Sequence, residues 1–164
     1  MQFEKVVTEE QIRILAQVAD IVWHDAFKEI ITLDQIEYMI EKFQSFNALS
    51  EAINKNNYIY YLIKIDNNVA GYTGIHEENE KLFLSKLYIL REYRGKKIAT
   101  KVFEFIETLA RNKKLKSVWL TVNRNNTHAI EVYKHKGFVV TRKQIADIGN
   151  GFVMDDFVFE KEIK

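Results

Sequence analysis

The chain has 164 residues, 47% apolar and 29% charged, with a net charge of +1. That length and balance predict one globular domain, residues 1–164, and exclude the global basic field that nucleic acid or an anionic membrane would need. The absence of cysteine excludes disulfides, thiolate metal sites and covalent thiol intermediates.

FEKVV (3–7) reads as a strand. Thr8 and Gln11 then form a capping-box pattern, and Ile12, Leu15, Val18, Ala19, Val22 and Trp23 continue as the apolar stripe of a helix. Thr32 and Gln35 repeat the signal ahead of Ile36, Met39, Ile40 and Phe43, and a short helix is expected near 48–54. The period then changes. NYIYYLIKI (57–65) and VAGYTGI (69–75) predict a hairpin turned at Asp66-Asn67-Asn68, and KLFLSKLYIL (81–90) predicts another strand. A helix follows over about 97–113, a strand over 117–122, and a helix over about 127–136 that stops at Gly137. Two last strands, 138–147 and 151–163, are joined by Gly149-Asn150-Gly151. The expected class is mixed α+β, with a mostly antiparallel sheet, helices on its faces and one parallel βαβ unit over 81–122. No apolar run reaches the roughly 20 residues of a membrane span, and the N-terminus lacks an apolar signal core; a cytoplasmic location is expected.

The stretch LYILREYRGKKIAT (87–100) carries the strongest functional signal. A strand hands over to a helix through Arg91, Arg94, Gly95, Lys96 and Lys97. The first backbone N–H groups of a helix have no intrahelical partner and sit at the positive end of its dipole. Cations there oppose the dipole unless an anion is present, so the pattern suits a phosphate or diphosphate. Neither GxxxxGK[ST] nor GxGxxG is present, which argues against a P-loop and against the dinucleotide fingerprint. Further on, Asn126 is placed to cap the helix that carries Tyr133 two turns later.

Together these two segments resemble the GNAT superfamily of N-acetyltransferases. The coenzyme motif, (Gln/Arg)-x-x-Gly-x-(Gly/Ala) in that family, reads Arg94-Gly95-Lys96-Lys97-Ile98-Ala99 here, with Lys97 where glycine is usual. The second segment, Asn-x-x-Ala-Ile-x-x-Tyr-x-x-x-Gly-Phe, reads Asn126 to Phe138. VWHDAF (22–27), DQIEYMIEKFQS (34–45) and the C-terminal 147–163 further resemble the PaiA-like branch of bacterial polyamine N-acetyltransferases. The resemblance implies acetyl-CoA as the cosubstrate. It implies that backbone groups of Leu87 and Ile89 pair with the pantetheine arm, and that the N–H groups of Arg94, Gly95, Lys96, Lys97, Ile98, Ala99 and Thr100 hold the diphosphate. Asn126 would touch the pantetheine, the Leu87 N–H would stabilise the thioester oxygen, and Tyr133 would return a proton to the leaving thiolate. An ordinary φ is required of Lys97 if its N–H is to take part.

Strand 81–90 has no carboxylate, so the general base stays open among Glu77 and Glu78 at the preceding turn, Asp155 or Asp156 on the last strand, or water. Trp23, His24, Phe27, Tyr38 and Met39 are candidates to line the acceptor site, Met39 being better explained as core. Asp25, Glu29, Asp34 and Glu37 permit a polycation. No His/Cys/Asp cluster has ligand spacing, so no metal is expected. The expected partner is a small-molecule amine, a polyamine such as spermidine or spermine, with a protein or peptide amine or an aminoglycoside as alternatives. A coenzyme-binding regulatory module without turnover is the reading from another class. The family resemblance also allows a homodimer through the aromatic C-terminal strand.

Overall fold

The structure, a computed structural model, describes residues 1–164. Seven strands, β1 (Gln2–Lys5), β2 (Ile59–Ile65), β3 (Asn68–Glu78), β4 (Lys81–Ile89), β5 (Ser117–Asn123), β6 (Val139–Gly149) and β7 (Phe152–Glu162), form one sheet in the order β1-β2-β3-β4-β5-β7-β6. Five helices are α1 (Glu9–Phe27), α2 (Leu33–Met39), α3 (Phe46–Asn54), α4 (Ile98–Asn112) and α5 (Thr127–His135). The class is the mixed α+β expected, with β4 and β5 parallel at Leu82↔Val118 and Phe83↔Trp119 and antiparallel pairs elsewhere. No helix is long and apolar enough to cross a membrane.

The chain divides into two compact units, Met1–His76 with Ser85–Glu104, and Glu77–Leu84 with Phe105–Lys164. In the first, the capping box forms as read: Thr8 Oγ1 accepts from the Gln11 N–H at 3.1 Å, while Gln11 Oε1 accepts from the Thr8 N–H at 2.9 Å. The predicted stripe of α1 is buried throughout. Helix α2 passes directly into one π turn, Ile40–Gln44, which carries Gln44 into the interior. There a buried chain of hydrogen bonds closes. Trp23 Nε1 donates to the Tyr72 hydroxyl (2.8 Å), which donates to Gln44 Oε1 (2.7 Å). Trp23 and Met39 are therefore core, 3% exposed each.

The β2–β3 turn is the two-residue Asp66-Asn67, both with positive φ (51° and 67°), and the last hairpin turns on Asn150-Gly151 (55° and 78°). Left-handed pairs match the twist of the flanking strands. Asn79-Glu80 (50° and 65°) makes a third such turn, so β3 runs through Glu77 and Glu78 and neither lies at a turn. At Gly71 the β3 backbone passes so close to the Tyr88 carbonyl that a Cβ would collide with it. That approach coincides with a β-bulge, where Ile63 pairs Gly71 and Lys64 pairs Val69.

In the second unit Leu82, Leu84, Ile106, Ala110, Val118, Leu120, Val122, Ile130, Phe138, Val158 and Phe159 are buried. Strand β7 lies between β5 and β6. The C-terminal strand is thus interior to the sheet, and the edge belongs to β6, with Val139 and Ile145 exposed.

Candidate functional site

The part of β4 that belongs to the first unit, from Ser85 on into Leu90, is half-buried at every residue. The strand is anchored on one side: Thr73 Oγ1 donates to the Lys86 carbonyl (2.7 Å) and the Leu90 N–H to the Ala70 carbonyl (2.8 Å). Trp23 and Phe27 pack on Tyr88, ring centroids 5.8 and 6.2 Å away. Leu87 and Ile89 flank Tyr88, so their side chains take the opposite face of β4.

A 3₁₀ turn, Arg91–Tyr93, follows, and its last N–H bond runs from Arg94 to the Arg91 carbonyl (3.2 Å). The N–H of Arg94 is thereby spent inside the turn, and the donors facing α4 begin at Gly95. Arg94 has φ −70°, Gly95 +81° and Lys97 +59°, with Lys96 on the negative side. From Gly95 to Lys97 the sign of φ alternates, the pattern of a backbone N–H nest that suits an anion, whereas Arg94 is extended (ψ 155°) and lies outside it. A Cβ built on Gly95 would meet nothing, so its requirement is conformational. Lys97 does not adopt the ordinary φ expected of it; its positive φ continues the alternation along the loop, so its N–H stays among the donors. Lys97 takes the left-handed path that glycine takes without cost, at an expense of about 1 kcal/mol.

Helix α4 has no acidic residue in its first turn, and its ladder opens with the Lys101 N–H on the Lys97 carbonyl (3.4 Å). The N–H groups of Ile98 and Ala99 precede that bond. The cations nearby are not equivalent. Lys96 lies over the Tyr93 ring, 5.6 Å from its centroid. Arg94 turns back, with Nε donating to the Ile89 carbonyl (3.1 Å) and Nη2 3.0 Å from Asp25 Oδ2. Arg91 Nη2 donates to Asp25 Oδ1 at 2.7 Å. Asp25 is consequently not available to a polycation. Glu37 lies 3.9 Å from His24 Nε2, and Lys42 lies over the Tyr38 ring. The nest and the acid-free helix start together fit the diphosphate of coenzyme A.

In the second unit Asn126 caps α5, its side chain accepting from the Ala129 N–H at 3.3 Å. Nearly two turns beyond that cap, Tyr133 is half-buried, edge-on to Phe138 with centroids 6.1 Å apart. Burial pushes its phenol up to about 12, above the value near 10 that would match a thiol. The two aspartates of β7 part company. Asp155 is bridged to Arg124 Nη1 (3.1 Å), whereas Asp156, paired with Asn123 and Gln144 across the strands, is 4% exposed. Adjacent strand residues face opposite sides of the sheet, and Asp156 is on the buried one. No group of three or more metal-ligating side chains occurs.

The features that sequence reasoning missed are the Asp25 pairings, the π turn and the left-handed Lys97. Only the last had a visible signal, a lysine standing at a glycine position.

The acetyltransferase (GNAT) family pattern matches residues 16–138, and the chain belongs to that family: it is an N-acetyltransferase that uses acetyl-CoA. Among solved structures, PaiA N-acetyltransferase from Thermoplasma acidophilum, in complex with coenzyme A, superposes with a TM-score of 0.80 at 24% identity, over 99% of each chain. An N-acetyltransferase encoded in the pepI 3′ region of Lactobacillus delbrueckii subsp. lactis is 21% identical over 96% of this chain and 95% of its own. The spermine/spermidine N(1)-acetyltransferase of Bacillus subtilis (strain 168) is 34% identical over 62 residues, 37% of this chain and 41% of that protein.

Proposed function

We propose that the chain transfers the acetyl group of acetyl-CoA to a primary amine by direct attack, and that the acceptor is a polyamine of the spermidine or spermine class. The observation that carries the coenzyme half is the nest at Gly95 and Lys97 ahead of the acid-free start of α4. The acceptor half is supported by the local identity to the Bacillus subtilis spermine/spermidine enzyme. Bound acetyl-CoA supplies an acetyl thioester. The N–H groups of Gly95 to Thr100 hold the diphosphate, with Lys96, Lys97 and Lys101 adding charge. Leu87 and Ile89 offer backbone groups to the pantetheine arm, and the Leu87 N–H donates to the thioester oxygen as negative charge develops there. Asn126 contacts the arm while keeping its cap.

An alkyl ammonium near pKa 10.4 must lose a proton before it attacks, and the leaving sulfur must gain one. Tyr133 is the donor to that sulfur. Its raised pKa keeps it protonated at every working pH, at the cost of an uphill transfer to a thiolate of ordinary basicity. Water relays the ammonium proton outward.

Release of free thiol from acetyl-CoA, followed with spermidine, spermine, aminoglycosides, amino acids and lysine peptides, tests the proposal against a protein with no thiol of its own. Fast release with polyamines is the expected result. Release with another class alone would replace the acceptor. Coenzyme binding without release for any amine would favour a regulatory module.

A further inference from the structure

The proposed chemistry leaves one feature of the coenzyme loop without a role: a single carboxylate grips both ends of the 3₁₀ turn. Asp25 is two residues from the end of α1, between Trp23 and Phe27, whose rings pack on Tyr88. Its position is fixed by aromatic packing on the same strand that leads into the loop. Arg91 begins the turn and Arg94 closes it. Arg91 Nη2 donates to Oδ1 at 2.7 Å, and Arg94 Nη2 lies 3.0 Å from Oδ2, an oxygen that is buried and has no aligned hydrogen-bond donor. Arg94 Nε also holds the Ile89 carbonyl. Strand end, turn and loop are thus tied to one anchor.

Just beyond the turn come Gly95 and Lys97, both at positive φ, and of the two only the left-handed Lys97 is strained. A strained path persists only where its surroundings over-determine it. We infer that Asp25 is a positioning residue for the coenzyme: by holding Arg91 and Arg94 it sets the loop path that presents the N–H groups of residues 95–99. The same pairing makes two of the loop's cations structural and leaves Lys96, Lys97 and Lys101 to meet phosphate. The opposite arrangement, in which Asp25 keeps the arginines from the coenzyme, predicts the opposite sign.

The inference rests on the reading that residues 95–99 hold the diphosphate, and the experiment separates the two. Coenzyme A is titrated calorimetrically into Asp25→Asn, Arg91→Gln, the double variant and Gly95→Asp, and steady-state kinetics are measured with acetyl-CoA. Asp25→Asn is expected to bind coenzyme A about tenfold more weakly and raise KM for acetyl-CoA in step. Its kcat at saturating coenzyme should stay within about twofold, a split that general destabilisation does not produce. The double variant should be no weaker than Asp25→Asn alone, because the two residues act as one device. Unchanged or tighter binding in Asp25→Asn overturns the inference. Should that variant fail to fold, Arg91→Gln carries the test, since Arg91 is 66% exposed, and unchanged affinity there overturns it as well. Weakening by Gly95→Asp without weakening by Asp25→Asn leaves the loop reading intact and removes Asp25 from it. No effect of Gly95→Asp removes the loop reading itself.

Discussion

Two residues concentrate the chemistry of this chain. Lys97 adopts φ +59° at a position where its family usually has glycine. Substitution Lys97→Gly should therefore leave stability unchanged or higher, by up to about 1 kcal/mol, as relief of the left-handed strain offsets the extra freedom of the unfolded chain. The same change removes an ammonium from the phosphate site, so coenzyme affinity should fall a few-fold with a shallower salt dependence. Thermal melts and salt-dependent titrations read both effects, and a clear loss of stability would contradict the strain argument. Tyr133 has the other role. Tyr133→Phe is expected to lower kcat by about a hundredfold and leave coenzyme affinity within about twofold. Its phenol is active when protonated and ionises only at about 12, so no alkaline limb of the pH–rate profile below about pH 11 belongs to it. A limb near 10 that vanishes in Tyr133→Phe would contradict the assigned pKa.

At the scale of elements, function depends on how β4 and α1 are held. Gly71 brings β3 against the Tyr88 carbonyl, and the Trp23–Tyr72–Gln44 chain locks α1 and the π turn to β3. Gly71→Ala forces a backbone to move and should cost more than about 2 kcal/mol, lowering Tm by several degrees. An unchanged melt would show that the bulge can slide to make room. Most elements were legible in the sequence, because capping pairs such as Thr8 and Gln11 and period-2 runs such as IYYLIKI are local signals. The turns were placed to within a residue. The third, Asn79-Glu80, was placed two residues early, at Glu77 and Glu78, because glutamate gives no left-handed signal, and β3 was therefore taken as shorter than it is. The π turn follows from a long-range contact, the burial of Gln44 against Tyr72, which no local pattern encodes. The Asp25 pairings reach 66 positions along the chain to Arg91 and further to Arg94, and an acid on a helix of mixed charge carries no mark of its partners.

For the whole molecule, phenols wholly or partly withdrawn from water shape the response to alkali. Burial pushes Tyr60 and Tyr133 up to about 12 and Tyr72 well above its ordinary value. Each holds its proton more tightly folded than unfolded. The stability they contribute is present in full below about pH 10, where unfolded phenols begin to ionise, and is lost as pH rises toward 12. Urea midpoints should fall across that interval, with the tyrosinate absorption of these residues appearing on unfolding rather than before it. Titration of all eight tyrosines near pH 10 in the intact fold would contradict this.

The class of the molecule was legible because the two family segments, Arg94–Ala99 and Asn126–Phe138, are contiguous and their spacing is set by one helix and one strand. The path of the loop between them and the core was not, because it depends on φ signs and on one carboxylate brought in from α1. The most direct test of the central claim is an amide chemical-shift titration of the isotope-labelled protein with coenzyme A. The account predicts that the largest changes fall on the N–H groups of Gly95 through Ala99, with Leu87 and Ile89 next. Changes that leave those amides unmoved and gather elsewhere on the chain would contradict it.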